Sequence, residues 1–315
     1  MEFGSSNARN LIVIVGPTCS GKTNLSLKLA QLIPSEIISG DSRQIYKYLD
    51  IGTAKPSKQQ LGKVPHHLID ILDPSEKYDV SLFEKDGEKV IDEIFKKNKI
   101  PIFVGGSGLY IKALMDGIFD SADKDEEYRK ELLQKRKEFG NEYLYEELKK
   151  IDPVSAEKML PQNWKRVLRA LEVFHTTGEQ IWKHHQKQSI SKENKYLFKQ
   201  FGLDWERKIL YENIDKRVDD MIESGFVDEV KNILNLGYDK NLNSLNTVGY
   251  KEIIRYLDGI ISLERAIELI KRNTRHYAKR QMTWFRKDKR IHWFDVKKLD
   301  DLDSIANEIV QGIKE

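Results

Sequence analysis

The sequence predicts an α/β protein: a parallel sheet covered by helices, interrupted by an all-helical insertion. Three observations carry that prediction. An eight-residue run, Gly16-Pro17-Thr18-Cys19-Ser20-Gly21-Lys22-Thr23, satisfies the pattern G-x-x-x-x-G-K-[ST] at every fixed position. From about Asn10 to Phe119, strand and helix signals alternate, which implies parallel strands joined by crossover helices. Between about Ser121 and Ile190 the strand signals vanish and Glu, Lys, Leu and Arg dominate.

Taken in order, the elements divide the chain at 10–120, 121–195 and 196–315. Leu11–Val15 is a short apolar run suited to a buried parallel strand. Thr23–Leu32 follows the glycine-rich run as a helix, with Leu25, Leu29 and Leu32 on one face. Glu36–Ser39 is a second strand. Ser81–Lys97 is a helix with Leu82, Phe83, Val90, Ile91 and Ile94 as its apolar stripe, and Ile100–Val104 is a strand ended by Gly105-Gly106. In the middle block Asp125–Phe139, Tyr143–Lys150, Pro153–Leu160 and Trp164–Thr176 read as short helices, punctuated by Gly140, Pro153, Pro161 and Gly178. The last block opens with a strand at Tyr196–Leu203. Helices from Trp205 to Leu236 and from Ser262 to about Arg286 follow, and Ile291–Asp295 forms a final strand.

Composition narrows the class. The chain has 315 residues, 39% hydrophobic and 33% charged, enough to bury a core in one large or two ordinary domains. No apolar run approaches the ~18–20 residues that span a bilayer. No secretory signal is visible, and Glu2-Phe3-Gly4-Ser5-Ser6 reads as a cloning remnant. Cys19 is the one cysteine, which excludes a disulfide framework and a cysteine-rich zinc site and fits a reducing cytoplasm. A net charge of +3 says little. Its distribution says more. Between Lys271 and Arg290, Lys271, Arg272, Arg275, Lys279, Arg280, Arg286, Lys287, Lys289 and Arg290 face a single acid, Asp288, with Tyr277, Trp284 and Phe285 interleaved. Such a stretch suits either a nucleic-acid surface or a solvated helix face with core aromatics. The even spread of charge gives no sign of a large apolar interface, so a monomer is expected.

The glycine-rich run carries the clearest chemistry. Its N–H groups at a helix N-terminus cradle phosphate oxygens, Lys22 adds a point charge, and the Thr23 hydroxyl can hold Mg²⁺. The chain is therefore expected to bind a di- or triphosphate. Asp41, in Gly40-Asp41-Ser42-Arg43-Gln44, follows the second strand, and ligands of parallel sheets bind beyond the carboxyl ends of the strands. A carboxylate there either holds Mg²⁺ or takes a proton from an attacking nucleophile; the plain alternative is a helix N-cap. Ser107, in Gly105-Gly106-Ser107-Gly108-Leu109-Tyr110, offers a hydroxyl and an N–H at the same sheet edge, or simply caps the next helix. His66 and His67 are adjacent in an extended segment and point apart, which marks them as structural and not a zinc site. His184-His185 fits a solvated helix.

Seven motifs in order, GPTCSGKT, DSRQ, IGTAKP (Ile51–Pro56), PHHLID (Pro65–Asp70), GGSGLYI (Gly105–Ile111), RALEV (Arg169–Val173) and TRHYAKRQMTWFR (Thr274–Arg286), closely resemble the bacterial tRNA dimethylallyltransferases. The likeness runs from about Leu11 to Phe294. It implies a P-loop NTPase-like core, a helical insertion that grips the tRNA anticodon stem-loop, and a channel where two substrates meet. It implies transfer of a dimethylallyl group from dimethylallyl diphosphate to N6 of adenosine 37, with Mg²⁺ as cofactor. By position, Asp41 matches the general base, and Asp41, Ser42, Arg43 and Gln44 match the stretch contacting the target nucleotide. Gly16 to Thr23 match the diphosphate cradle, with Thr23 at the metal position and Arg217 near the diphosphate. Ser107 stands where the family more often has threonine, keeping the hydroxyl that touches both substrates. Arg129 and Gln162, Asn163, Trp164, Lys165 and Arg166 match tRNA contacts of the insertion. From the residues alone, a P-loop kinase of nucleosides or small molecules and a nucleic-acid-dependent ATPase remain the alternatives.

Overall fold

Leu11 to Val15 have no solvent exposure because β1 (Arg9–Val15) lies mid-sheet. It pairs in parallel with β4 (Ile100–Gly105) on one side and β5 (Tyr196–Trp205) on the other. Strands covered on both faces read as continuous apolar runs. β2 (Ser35–Ser39) and the two-residue β3 (His66–His67) extend one edge, and β6 (Ile291–Val296) the other. The order is β3-β2-β4-β1-β5-β6, all parallel. The structure, a computed structural model, describes residues 9–118, 125–184, 186 and 196–314. The second histidine of the His184-His185 pair and residues 1–8 lie outside the described residues.

The chain divides into two compact units, residues 1–115 with 195–315, and residues 116–194. In the first, successive β1 residues serve opposite faces. Ile12 and Ile14 join Leu25 and Leu29 of α1 (Lys22–Leu32) and Leu302, Ile305 and Ile309 of the C-terminal helix; Leu11 and Val13 join Phe83, Ile91, Phe103, Tyr110 and Phe285. Two expected stripe members face solvent: Leu32 is 47% exposed, with Ile33 buried in its stead as the helix ends, and Leu82 is 45% exposed. The buried face of α3 (Val80–Lys96) runs Phe83, Gly87, Ile91, Ile94, so Leu82, one position off, serves the start of that helix beside the Asp79 cap. α2 (Lys58–Leu61) and α4 (Gly108–Asp116) complete the first half.

In the second unit α5 (Glu126–Ile151) breaks at Gly140, whose φ of 85° is left-handed, so the two helices expected there are seen. α6 (Pro153–Ala156), a 3₁₀ turn at Pro161–Asn163 and α7 (Trp164–Thr177) follow around Leu132, Leu144, Leu148, Val167 and Leu171. Gly178, also left-handed, ends α7.

Beyond β5, the single helix expected from Trp205 to Leu236 is two, α8 (Arg207–Glu223) and α9 (Phe226–Asn235). Gly225, at φ 92°, breaks it. A lone glycine inside a helical pattern is tolerated often enough that the break was hidden by apolar spacing continuing at Phe226, Val230 and Ile233. α10 (Tyr250–Leu257), α11 (Leu263–Phe285) and α12 (Asp301–Lys314) follow, the first and last not anticipated. α9 and α10 pin the segment after β2. Glu229 accepts the N–H groups of Asp50 (3.1 Å), Ile51 (2.6 Å) and Gly52 (3.1 Å) and the Tyr250 hydroxyl (2.6 Å). Among the described residues no helix is long and apolar enough to cross a membrane.

At the sheet's far end Glu36 is buried and accepts hydrogen bonds from His67 Nε2 (2.8 Å), Lys99 (2.9 Å) and Lys97 (3.0 Å). His66 turns the other way, its Nδ1 2.9 Å from the Val64 carbonyl. Burial would raise the Glu36 pKa, but the three hydrogen bonds outweigh it and hold the carboxyl at about 2, against 4.5 ordinarily. A depressed folded pKa stabilises fully above the ordinary value and is lost as pH falls through it. Glu36→Gln is therefore expected to cost about 3 kcal/mol at pH 7. That cost should shrink as pH drops from 4 towards 2, read by urea unfolding across that range. A pH-independent difference would reject the charged cluster as its source.

Candidate active site

The turn after β1 is a nest of backbone N–H groups at the start of α1. Gly16, Cys19 and Gly21 all have positive φ (149°, 63° and 89°), which curls the loop. A Cβ on Gly16 would lie 2.9 Å from Ser20 Oγ, so only glycine fits that turn unstrained. The first turn of α1 carries no acid, leaving its positive end open to an anion.

Distant elements hold the loop in shape. Trp205 Nε1, at the end of β5, donates to the Ser20 carbonyl (3.0 Å). Gln281, buried on α11, accepts the Thr18 N–H (2.9 Å) and donates to the Gly106 carbonyl (3.0 Å), stapling the nest to the β4–α4 turn. A Cβ on Gly106 would meet Gln281 Nε2 at 2.2 Å, so any larger residue there would push that amide off its bonds. Arg217 Nη1, from α8, donates to Thr18 Oγ1 (3.0 Å) and lies 3.5 Å from Cys19 Sγ. Lys22 Nζ donates to the Pro17 carbonyl (2.5 Å). Burial pulls its ammonium down from 10.5 to about 8, Cys19 and Asp41 opposing and Arg217 adding to the fall.

Asp41 follows β2 in a turn and not a helix, so it is no N-cap. Its Oδ1 accepts the Arg43 N–H (2.8 Å), a local Asx turn. The Ser42 N–H donates to Ser107 Oγ (3.3 Å), joining this turn to the β4–α4 turn. Arg43 Nη1 donates to the Asn243 carbonyl (2.7 Å). The Gln44 amide is spent inside the protein: Oε1 accepts from Ser39 Oγ (3.0 Å) and Nε2 donates to the Thr53 and Ala54 carbonyls (3.2 Å each). Gln44 thus braces the turn while lining the first cavity.

Two cavities open on this cluster. One, of about 420 Å³, is lined by Thr18 to Asn24, Asp41, His66 and Gln281 among others; Thr23 lies on its surface. The other, about 220 Å³, is lined by Asp41, Ser42, Arg43, Met221, Val248 and Thr274 among others. Thr18, Cys19, Asp41, Thr53, Arg217 and Tyr277 line both. The structure therefore brings Lys22, Thr23, Asp41 and Arg217 together, with Asp41 where the cavities meet. Ser107 reaches Ser42 behind that junction. Tyr277, Gln281 and Trp205 escaped notice as site residues. For the first two a signal existed: Thr274, Tyr277 and Gln281 are spaced i, i+3, i+7, one helix face.

The residues matched to tRNA contacts in the second unit are described by themselves. Gln162, Asn163, Lys165 and Arg166 are exposed at the start of α7. The Arg136 guanidinium lies 3.7 Å from the Trp164 ring centre. Arg129 Nη1 pairs with Glu172 Oε1 at 2.5 Å, so much of its charge is met within the protein. The basic stretch from Lys271 to Arg290 is likewise partly neutralised: Lys271 pairs with Asp219, Arg275 with Asp215, Arg286 with Asp204 and Arg290 with Asp288. Phe285 is core, while Trp284 stays 40% exposed.

A nest of backbone N–H groups at the first strand-to-helix turn of a parallel sheet, with Asp41 from the end of the next strand lining the same cavity, is the arrangement of the P-loop NTPase-like fold. Within that class the chain belongs to the IPP transferase family, whose model matches residues 44–288. It is 46% identical over 307 residues to a tRNA dimethylallyltransferase of Alkaliphilus oremlandii, covering 97% of each chain. Similar solved structures include a tRNA isopentenylpyrophosphate transferase from Bacillus halodurans (TM-score 0.71, 41% identity, 97% of each chain). Another is a eukaryotic dimethylallyltransferase acting on tRNA (TM-score 0.83, 31% identity), matched over 96% of this chain and 78% of that one.

Proposed function

We propose that this chain transfers the dimethylallyl group of dimethylallyl diphosphate to N6 of an adenosine in tRNA, position 37 beside the anticodon, releasing diphosphate. The observation that supports it best is Asp41 at the junction of the cavity lined by the glycine-rich turn and a second recess. In the reaction the bond from the allylic carbon to the diphosphate oxygen breaks, a bond from that carbon to N6 forms, and the N6 proton passes to Asp41. The adenine amine is a poor nucleophile because its lone pair is delocalised into the ring, so a proton acceptor in the transition state counts. The leaving diphosphate gathers charge where the nest N–H groups, Lys22 and Arg217 converge.

Thr23 would hold Mg²⁺ beside the diphosphate. Among the described residues no group of three or more His, Cys, Asp or Glu side chains could cage a metal. A hydroxyl oxygen, substrate phosphates and water together form an all-oxygen set of the kind Mg²⁺ takes. Bound there, the ion would neutralise charge on the leaving group. Thr23→Ala is expected to raise the Mg²⁺ concentration for half-maximal rate several-fold; an unmoved titration would reject Thr23 as ligand.

The target base must leave the stack to reach the junction, at a cost of a few kcal/mol. Basic groups on tRNA phosphates offset that cost, so binding weakens with salt. Arg166→Ala is expected to reduce the slope of log affinity against log salt by about 1. Arg129→Ala should change it less, because Glu172 already pairs with that guanidinium. Equal slopes for wild type and Arg166→Ala would place Arg166 off the interface. The working form is a cytoplasmic monomer. The decisive experiment supplies Mg²⁺, labelled dimethylallyl diphosphate and unmodified tRNA, with labelled ATP in a parallel tube. Label in tRNA supports the transfer; phosphate release or transfer from ATP would support an ATPase or kinase instead.

A further inference from the structure

We propose that the Tyr277 hydroxyl reads the acceptor base, donating a hydrogen bond to the ring nitrogen beside the amine that Asp41 deprotonates. This deepens, and rests on, the transfer reaction set out above. Tyr277 lies one helical turn before Gln281 on α11. Because Gln281 is held at both ends, by the Thr18 N–H and the Gly106 carbonyl, the rotation of the helix about its axis is set. That rotation turns the Tyr277 ring to the junction, where it lines both cavities with Asp41.

Ser107 Oγ accepts the Ser42 N–H and also interacts with the phenol oxygen; in the arrangement proposed it donates to that oxygen and the phenol hydrogen turns to the cavity. Burial pushes the phenol up to about 12, the Asp41 carboxylate adding to the rise and the Ser107 hydroxyl acting against it. It therefore remains a neutral donor at any pH the enzyme meets. The nearby amides do not compete, since Gln44 and Gln281 are each bonded at both ends within the protein.

An acceptor beside a donor is the complement of adenine's edge. The N6 amine donates, and N1 on one side and N7 on the other accept. Guanine would set a carbonyl oxygen against Asp41, an acceptor facing an acceptor. A site built to bond a particular group rejects the analogue lacking it, because the site's own polar group is left unmatched. Tyr277 is thus a specificity-determining residue for adenine.

The test uses three anticodon stem-loop hairpins, with adenosine, 1-deazaadenosine or 7-deazaadenosine at the target position. One deaza hairpin is expected to lose about tenfold in kcat/KM with the wild-type protein and the other little, the size of one hydrogen bond to a buried group. Tyr277→Phe is expected to lose about tenfold on adenosine and nothing further on the sensitive deaza hairpin, as one interaction cannot be lost twice. Full activity of Tyr277→Phe on adenosine would overturn the inference. So would equal losses on all three hairpins, which would mark a packing role. Absence of wild-type transfer to the adenosine hairpin would overturn the transfer reaction itself, and this inference with it.

Discussion

Asp41→Asn is expected to lower kcat by about 10²–10⁴-fold while binding of tRNA and of dimethylallyl diphosphate stays within about twofold of wild type. The substitution isolates the proton-accepting role. An asparagine Oδ1 still accepts the Arg43 N–H, the 2.8 Å bond that shapes the turn, so the loop is kept. What is lost is a basic oxygen for the N6 proton as the new carbon–nitrogen bond forms. A group that acts mainly in the transition state shows its loss in kcat, with little change in ground-state binding. Single-turnover rates and equilibrium hairpin binding would check both halves. An Asp41→Asn protein turning over at the wild-type rate would move the base elsewhere.

Lys22→Met is expected to reduce kcat/KM for dimethylallyl diphosphate by about 10²–10³-fold, the usual cost of removing one charge aimed at a leaving group. The same residue predicts a pH effect. In the free protein Lys22 loses its proton near pH 8 because it is buried. A bound diphosphate places negative charge beside it and raises that value again, so binding takes up a proton above pH 8. Donor affinity should therefore be full below about pH 8 and weaken as pH rises beyond it, by up to about tenfold per unit. Lys22→Met should lack this limb. Calorimetric titration of the diphosphate between pH 7 and 9.5 measures it, and a flat wild-type profile would remove Lys22 from the cradle. Stability runs the opposite way. With the folded pKa below the ordinary 10.5, the charged ammonium is a cost to folding, present at neutral pH and relieved as pH rises through 8 towards 10.5. Lys22→Met should thus unfold no more easily than wild type at pH 7, which separates lost binding from lost fold.

The parts of the fold legible in the sequence are those whose cause is local. The nest is eight contiguous residues, and its curvature is a property of Gly16, Gly21 and the turn between them. β1 and β4 carry largely apolar runs because each is covered on both faces, while β2 keeps only Ile37 and Ile38 between polar residues. The gap between α8 and α9 was not legible, since Gly225 interrupts an apolar period that resumes almost in step. α12 escaped because Leu302, Ile305 and Ile309 gain meaning only against Leu25 and Leu29, far back in the chain.

The site shows the same division. Lys22, Thr23 and Asp41 could be named from spacing and strand position, because in a parallel sheet every strand's carboxyl end arrives at one edge. Whether a side chain faces substrate or its own protein was another matter. Gln44 sits in the same short motif as Asp41, yet its amide is consumed by Ser39, Thr53 and Ala54. Arg129 and Arg275 read as open charges until Glu172 and Asp215 come beside them. Gln281 reaches Thr18 across a separation of 263 residues. Sequence alone determined most of the strands, the nest and the chemistry offered at its rim, since an apolar strand run and a glycine-rich turn are properties of neighbouring residues, whereas the strand order joins distant segments. The packed structure decided which polar groups remain for a ligand: a hydrogen bond or charge is spent on whatever partner folding brings within about 3 Å, and that partner has no fixed address in the sequence.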